Sequence, residues 1–330
     1  MIITKTPFRL SLFGGGTDYP AWFKDHSSKC ISAAMSHYCY ITVKKLPAFF
    51  EYRNRIVYSK IEDVDHFDSI DHPSVRACLQ YLNIPEGISI THDGELPARS
   101  GIGSSSSFTV GLLKALYAMK NQDVTPYELA KQAIHVEQVV IGESVGVQDQ
   151  IMASYGGIQI IHMGPGDLYK WHTEKVDLSE DYRKELESHI LLGFSGISRI
   201  AEVQAKKQVE KIKEGLNTNL LSKMSEIAND AIDLIQKEES IDQIGKLMDK
   251  NWRVKRILAE GITDELLDAI YVQSIANGSL GTKLMGAGGG GFFMFLVPPE
   301  KQNEFKERMT QIKVWVPFQF DNHGSQIILR

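Results

Sequence analysis

The sequence predicts an α+β protein of two domains, with two sheets covered by helices. Three observations carry this reading. At 330 residues the chain exceeds what one modest core organises and suffices for two bodies with a cleft between them. The first third is rich in aromatic and β-branched runs, whereas the stretch beyond residue 200 is polar and amphipathic at helical period. With 43% hydrophobic and 23% charged residues, the composition excludes a disordered or fibrous chain.

Tyr38 to Val43 and Ile88 to Thr91 have strand character, bounded by turns. A helix follows Gly103, because Phe108, Leu112, Leu116 and Met119 recur near helical spacing and would bury one face. Thr125-Pro126 then supplies an N-cap and a first-turn proline for a helix running toward Ile141, with Leu129, Ala133, Val136 and Val140 on its apolar side. Ile158 to Ile161 reads as a short strand. The Gly164-Pro165-Gly166 turn and the charged run from Asp177 to Glu187 mark the boundary region, giving domains of residues 1–185 and 186–330. Amphipathic helices follow from Ala201 to Lys213, Leu220 to Lys237 and Ile241 to Ala259. A glycine cluster at 286–291 runs straight into the buried strand Phe292 to Val297, and a helix and strand close the chain.

Net charge is −5 with acidic and basic residues interleaved, which provides no footprint for a nucleic-acid backbone. Three cysteines, Cys30, Cys39 and Cys78, form no CxxC pair and point to a reducing compartment. The N-terminus lacks the apolar core of a signal peptide and no run approaches a membrane span, so the expectation is a cytoplasmic protein without a membrane partner. Oligomeric state is not encoded in any pattern here.

Four segments carry chemistry. Pro97-Ala-Arg-Ser-Gly101-Ile-Gly103-Ser-Ser-Ser-Ser107 precedes a helix, and its glycines, its hydroxyls and the helix N-terminus together suit a phosphate. A flexible linker is the other use of such a run; its shortness, its proline and the amphipathic helix beyond it oppose that use. No Gly-Lys-Ser/Thr is present, so this is not a Walker loop. Phe8-Arg9-Leu-Ser-Leu-Phe-Gly-Gly-Gly-Thr17-Asp18 is an apolar strand ending in three glycines. Its Thr17 and Asp18 either hydrogen-bond the hydroxyls of a polyol or cap a local turn. Lys283-Leu-Met-Gly-Ala-Gly288-Gly289-Gly-Gly291 is a tight turn or a close backbone approach to a ligand. Glu137 and Asp149, across a glycine-containing bend, either converge on a metal and a nucleophilic hydroxyl or leave Glu137 an exposed helix residue.

In this order and spacing the segments resemble the motifs of the GHMP kinases, the galactokinase, homoserine, mevalonate and phosphomevalonate kinase superfamily, over nearly the whole chain. The resemblance implies an N-terminal domain like ribosomal protein S5 domain 2, a ferredoxin-like C-terminal domain, and ATP and substrate in the cleft. Pro97, Gly101, Ile102, Gly103, Ser104 and Ser105 match its phosphate loop, with Ser106 and Ser107 where alanines are common. It further implies magnesium on Ser105 and Glu137, Asp149 as the catalytic aspartate and Arg9 as the basic residue beside it. Asp18, with Thr17, would bond sugar hydroxyls, and Gly288 and Gly289 would shape the substrate cavity. The pattern ArgxSxxGlyGlyGlyThrAsp, with Ser195-Gly-Ile-Ser-Arg199, is similar to the D-glycero-D-manno-heptose 7-phosphate kinases and the fucokinase-like branch. The expectation is phosphorylation of the anomeric hydroxyl of heptose 7-phosphate. Arg199 either holds the substrate's phosphate or is a solvated residue at a helix start. The alternatives are another sugar kinase, fucokinase- or galactokinase-like, or a non-catalytic regulator that binds ATP and a sugar.

Overall fold

The computed structural model describes residues 1–197 and 201–330. Twelve strands among them form two sheets. The strands are β1 (Ile2–Phe13), β2 (Ser28–Lys45), β3 (Asn54–Val57), β4 (Ile61–Val64), β5 (Ile88–Gly94), β6 (Ile158–Met163), β7 (Trp171–Lys175), β8 (Ile190–Phe194), β9 (Gly281–Leu284), β10 (Phe292–Leu296), β11 (Val314–Val316) and β12 (Gln326–Leu329). The larger sheet runs β12-β1-β2-β5-β3-β4, with β6 on the free stretch of β2 and β7 on β6. β2 is long enough to pair β5 with its second half and β6 with its first. The smaller sheet is antiparallel, in the order β11-β8-β10-β9.

The helix after Gly103 spans Ser104–Met119 and packs on β1 and β2, burying Phe108, Leu112 and Leu116. Thr125 caps the helix Pro126–His135 by accepting the Glu128 N–H, and the proline occupies the first turn, where its missing N–H costs nothing. The expected continuation to Ile141 changes character: Val136–Ile141 is a π-helical turn. Its wider winding breaks the period of 3.6, so Val140 lies 45% exposed instead of on the apolar face. The same winding turns Glu137 inward.

Beyond residue 200 the helices are Ala201–Lys213, Thr218–Gln236, Ile241–Lys255 and Glu265–Ala276. Thr218–Gln236 buries the stripe Leu221, Met224, Ile227, Ala228, Ala231 and Ile235, and each large side chain contributes roughly 1.5–3 kcal/mol over its exposed state. Glu265–Ala276 escaped the periodicity argument because Leu266 and Val272 are apolar yet exposed, which blurs its stripe. The strand after the glycine cluster is buried at all five positions, as a strand covered on both faces must be.

The chain does not end in its second body. β12 returns to pair with β1, and Phe320 bridges Met35. A division at residue 185 therefore remains a proposal: it would fall inside the helix Glu180–His189 and would leave the last strand in the first sheet. No described helix is long and apolar enough to cross a membrane.

Candidate active site

Two backbone segments from the two sheets meet to make one wall. The loop that enters the helix Ser104–Met119 accepts, through the Ser100 carbonyl, the N–H of Phe292 on β10 (3.0 Å). Gly101 and Gly286 both have positive φ, and a Cβ on either would come within 2.5 Å of backbone atoms at the contact with the other segment. No other residue fits both demands at once. The resulting cavity, about 870 Å³, is lined by Gly101, Gly103, Ser104, Ser105 and Ser106 at the helix N-terminus. There the unpaired amides and helix dipole favour an anion. Three residues expected as ligands serve the scaffold instead. Ile102 is fully buried, and its carbonyl accepts the Arg9 N–H. The Ser107 hydroxyl donates to the Pro7 carbonyl, and the Pro97 carbonyl accepts from the Ser100 hydroxyl.

Across this wall, β1 presents Arg9. Its Nε donates to Asp149 Oδ1 at 2.7 Å and its Nη2 to Oδ2 at 2.9 Å, while Nη1 donates to the Gly101 carbonyl. Such a fork fixes both the position and the plane of the carboxylate. Asp149 lies in the first turn of the helix Gln148–Tyr155 and keeps 26% of its side chain open to the cavity. Asp18 also lines the cavity, with Oδ1 accepting the Gly16 N–H at 2.8 Å. Burial pushes its carboxyl up, with the Asp149 charge adding to the effect and the Gly16 N–H opposing it. Asp18 thus caps the glycine turn and faces the cleft as well. Thr17 does only the first: fully buried, its hydroxyl donates to the Gly14 carbonyl.

Glu137 is 1% exposed, which removes the surface-residue reading. Its Oε2 accepts from Ser106 Oγ (2.9 Å) and from Gln150 Nε2, the neighbour of Asp149. Burial raises its carboxyl to about 7, helped by Glu143 and opposed by hydrogen bonding from Thr109, Gln150 and Ser106. The serine that meets Glu137 is Ser106, whereas Ser105 is exposed on the cavity side. Adjacent helical side chains diverge by about 100°, so two consecutive serines cannot both turn toward one carboxylate. Oε1 of Glu137 is buried and makes no hydrogen bond of ordinary geometry, with the Thr109 hydroxyl as a further group that favours its charged form. A buried carboxyl oxygen so placed, beside the Ser106 hydroxyl, fits a hard divalent cation, whose charge would favour the ionised form.

Gly288 and Gly289 are buried against Ile262: a Cβ on Gly288 would meet its backbone at 2.7 Å, and the Gly289 N–H donates to its carbonyl. Gly286 and Ala287 face the cavity in their place. Arg199 lies outside the described residues. Sequence reasoning overlooked Lys255, which is 5% exposed and reaches the cavity from the last turn of its helix. The signal was a lysine one turn after Asn251 on an otherwise apolar face. It also overlooked the wall where His72 stacks on Phe108, with ring centroids 4.6 Å apart; burial pushes His72 down to about 4, so the ring is neutral.

The chain is similar to known proteins in sequence and in fold. The GHMP kinases N terminal domain matches residues 73–157 and the GHMP kinases C terminal domain matches residues 231–313, together about half of the chain. The chain is 28% identical over 340 residues to the D-glycero-alpha-D-manno-heptose 7-phosphate kinase of Campylobacter jejuni, covering 98% of this chain and 97% of that protein. It is 26% identical to the bifunctional fucokinase/GDP-fucose pyrophosphorylase of Arabidopsis thaliana, covering 93% of this chain but 31% of that one. Among solved structures, a D-glycero-D-manno-heptose 1-phosphate kinase from Bacteroides thetaiotaomicron superposes with a TM-score of 0.81 at 22% identity, covering 100% and 99% of the two chains.

Proposed function

Because the chain belongs to the GHMP kinases, phosphotransferases that use ATP on an alcohol acceptor, we propose that it phosphorylates the anomeric hydroxyl of D-glycero-D-manno-heptose 7-phosphate. The product would be the 1,7-bisphosphate, an intermediate of nucleotide-activated heptose synthesis. The observation that carries this reading is the convergence of Asp149, fixed by Arg9, with Asp18 in one cavity beside the serine loop. The full-length similarity to a heptose 7-phosphate kinase supports the choice of sugar.

Phosphoryl transfer asks a protein mainly to position the reactants and to oppose charge. The amides and hydroxyls of Gly103 to Ser106 receive the ATP phosphates at the helix N-terminus. The rings of His72 and Phe108 give the base a flat apolar wall. Glu137, with the hydroxyl of Ser106 that meets it, would hold a magnesium ion, which would supply positive charge opposite the phosphate oxygens. Asp18 accepts from sugar hydroxyls. Asp149 orients the anomeric hydroxyl, whose oxygen bonds to the γ-phosphorus as the bond to the β-phosphate oxygen breaks. The hydroxyl proton passes to an Asp149 oxygen or to water, and ADP leaves.

The test is ADP release with heptose 7-phosphate, heptose 1-phosphate, L-fucose, D-galactose and mevalonate, followed by phosphorus NMR of the product. Heptose 7-phosphate should give the highest kcat/KM and a new phosphate on the anomeric carbon. A preference for another acceptor would replace the substrate, and ATP binding without turnover on any alcohol would favour the regulator.

A further inference from the structure

Resting on the phosphotransfer reading above, we propose that Lys255 is a catalytic residue whose ammonium binds the non-bridging oxygens of the phosphoryl group during transfer. Asp149 and the Gly101 carbonyl take three of the five N–H groups of the Arg9 guanidinium, and its charge is already paired with the Asp149 carboxylate. The other buried lysine, Lys283, spends its ammonium on the carbonyls of Ser11 and Leu12 at 2.8 and 2.9 Å, away from the cavity lining. Lys255 is different. It lines the cavity, its Nζ donates to the Gly286 carbonyl at 2.6 Å, and among the described residues no carboxylate lies within ion-pair distance of it. An ammonium has three protons, so two remain for a ligand.

Its location is what makes those protons useful. Gly286 packs against Gly101 of the phosphate loop, so the amine stands at the donor side of the cleft. The same amine feels the charges of Arg9, Asp18 and Asp149, the acceptor side. A group passing from one side to the other passes Lys255. Its non-bridging oxygens carry negative charge into a cavity that already holds the carboxylates of Asp18 and Asp149, and a desolvated cation opposes that charge more strongly than an exposed one. Burial, with the Arg9 charge adding to it, brings the amine down to about 8, and Asp18 and Asp149 oppose the fall. An arriving phosphate would restore full protonation.

Lys255→Met keeps length and removes charge, and Lys255→Arg restores charge. The first measurement needs no sugar: calorimetric binding of ATP and of ADP to the full chain in magnesium buffer. Lys255→Met should lose about 10-fold or more in ATP affinity, the scale of one charged hydrogen bond, with ADP affinity within about twofold. The second is ADP release with the acceptor found above. There kcat should fall about 100-fold or more while the acceptor KM moves less than about threefold, and Lys255→Arg should recover at least about tenfold. A Lys255→Met protein with wild-type circular dichroism that keeps the wild-type ATP-over-ADP preference overturns the proposal, as does one with a kcat within threefold of wild type. If the wild-type protein turns over no sugar, the sugar-kinase reading falls, and the nucleotide ratio alone decides the role of Lys255.

Discussion

Arg9 closes on Asp149 at two points, 2.7 and 2.9 Å, across 140 residues of sequence, and ties the pair to the phosphate loop through the Gly101 carbonyl. One side chain on β1 thus sets the distance between the loop that suits an anion and the carboxylate that suits a hydroxyl. That fixed spacing is the requirement of in-line transfer, where misplacement of the reacting groups is costly.

Asp149→Asn keeps the shape and removes the charge. Turnover should drop at least about 100-fold, the usual scale for an acid–base group, with ATP affinity nearly unchanged in a nucleotide titration. Turnover close to wild type would take Asp149 out of the mechanism.

Arg9→Met leaves Asp149 without its partner on the cavity wall. Because that carboxylate is partly open, the stability loss should be smaller than for a fully enclosed pair, about 2 kcal/mol by urea denaturation, and turnover should fall with it. Arg9→Lys cannot reproduce the fork and should restore stability better than rate.

Gly146 touches Asp18 so closely that an added Cβ would lie 1.9 Å from Oδ2. Gly146→Ala should therefore displace the Asp18 carboxylate while the fold persists. We expect kcat/KM for the sugar to fall about 10-fold or more and ATP binding to hold, and Asp18→Ala to act alike. If both variants leave sugar kinetics unchanged, Asp18 is a turn cap and nothing else.

Glu137 is raised from 4.5 to about 7, so between those values the folded chain holds a proton that the unfolded chain has released. Stability of the ligand-free protein should then fall as pH rises through this window, and more stability should be present near pH 5 than at pH 8. Glu137→Gln should remove that slope and be the more stable protein at pH 8, by about 3 kcal/mol at most. Melting temperatures of both proteins across the window test this, and parallel curves would count against it.

Much of this site could be read before the fold was known. Local patterns gave the strand that ends in Thr17-Asp18, the glycine and serine loop, the helix it opens and the Thr125 cap, because backbone preferences and burial periodicity are properties of neighbouring residues. Burial periodicity is lost where winding changes at Val136–Ile141, and exposed apolar residues mask it in the helix Glu265–Ala276. Side-chain direction was the other gap. Nothing in a run of four serines tells which hydroxyl turns to Glu137.

What the sequence by itself determined is the set of elements and the chemistry they carry: hydroxyls and glycines before a helix, acidic residues on either side of a bend, and a glycine turn before a buried strand. Only the tertiary structure decided which of those groups share a cavity. It put Glu137 in the interior, gave Ser106 to it, folded Thr17 inward, packed Gly288 and Gly289 on Ile262 and brought Lys255 to Gly286. The reason is physical: these directions are set by contacts between segments far apart in the chain, where close packing leaves each side chain one available course, and no local pattern records that choice.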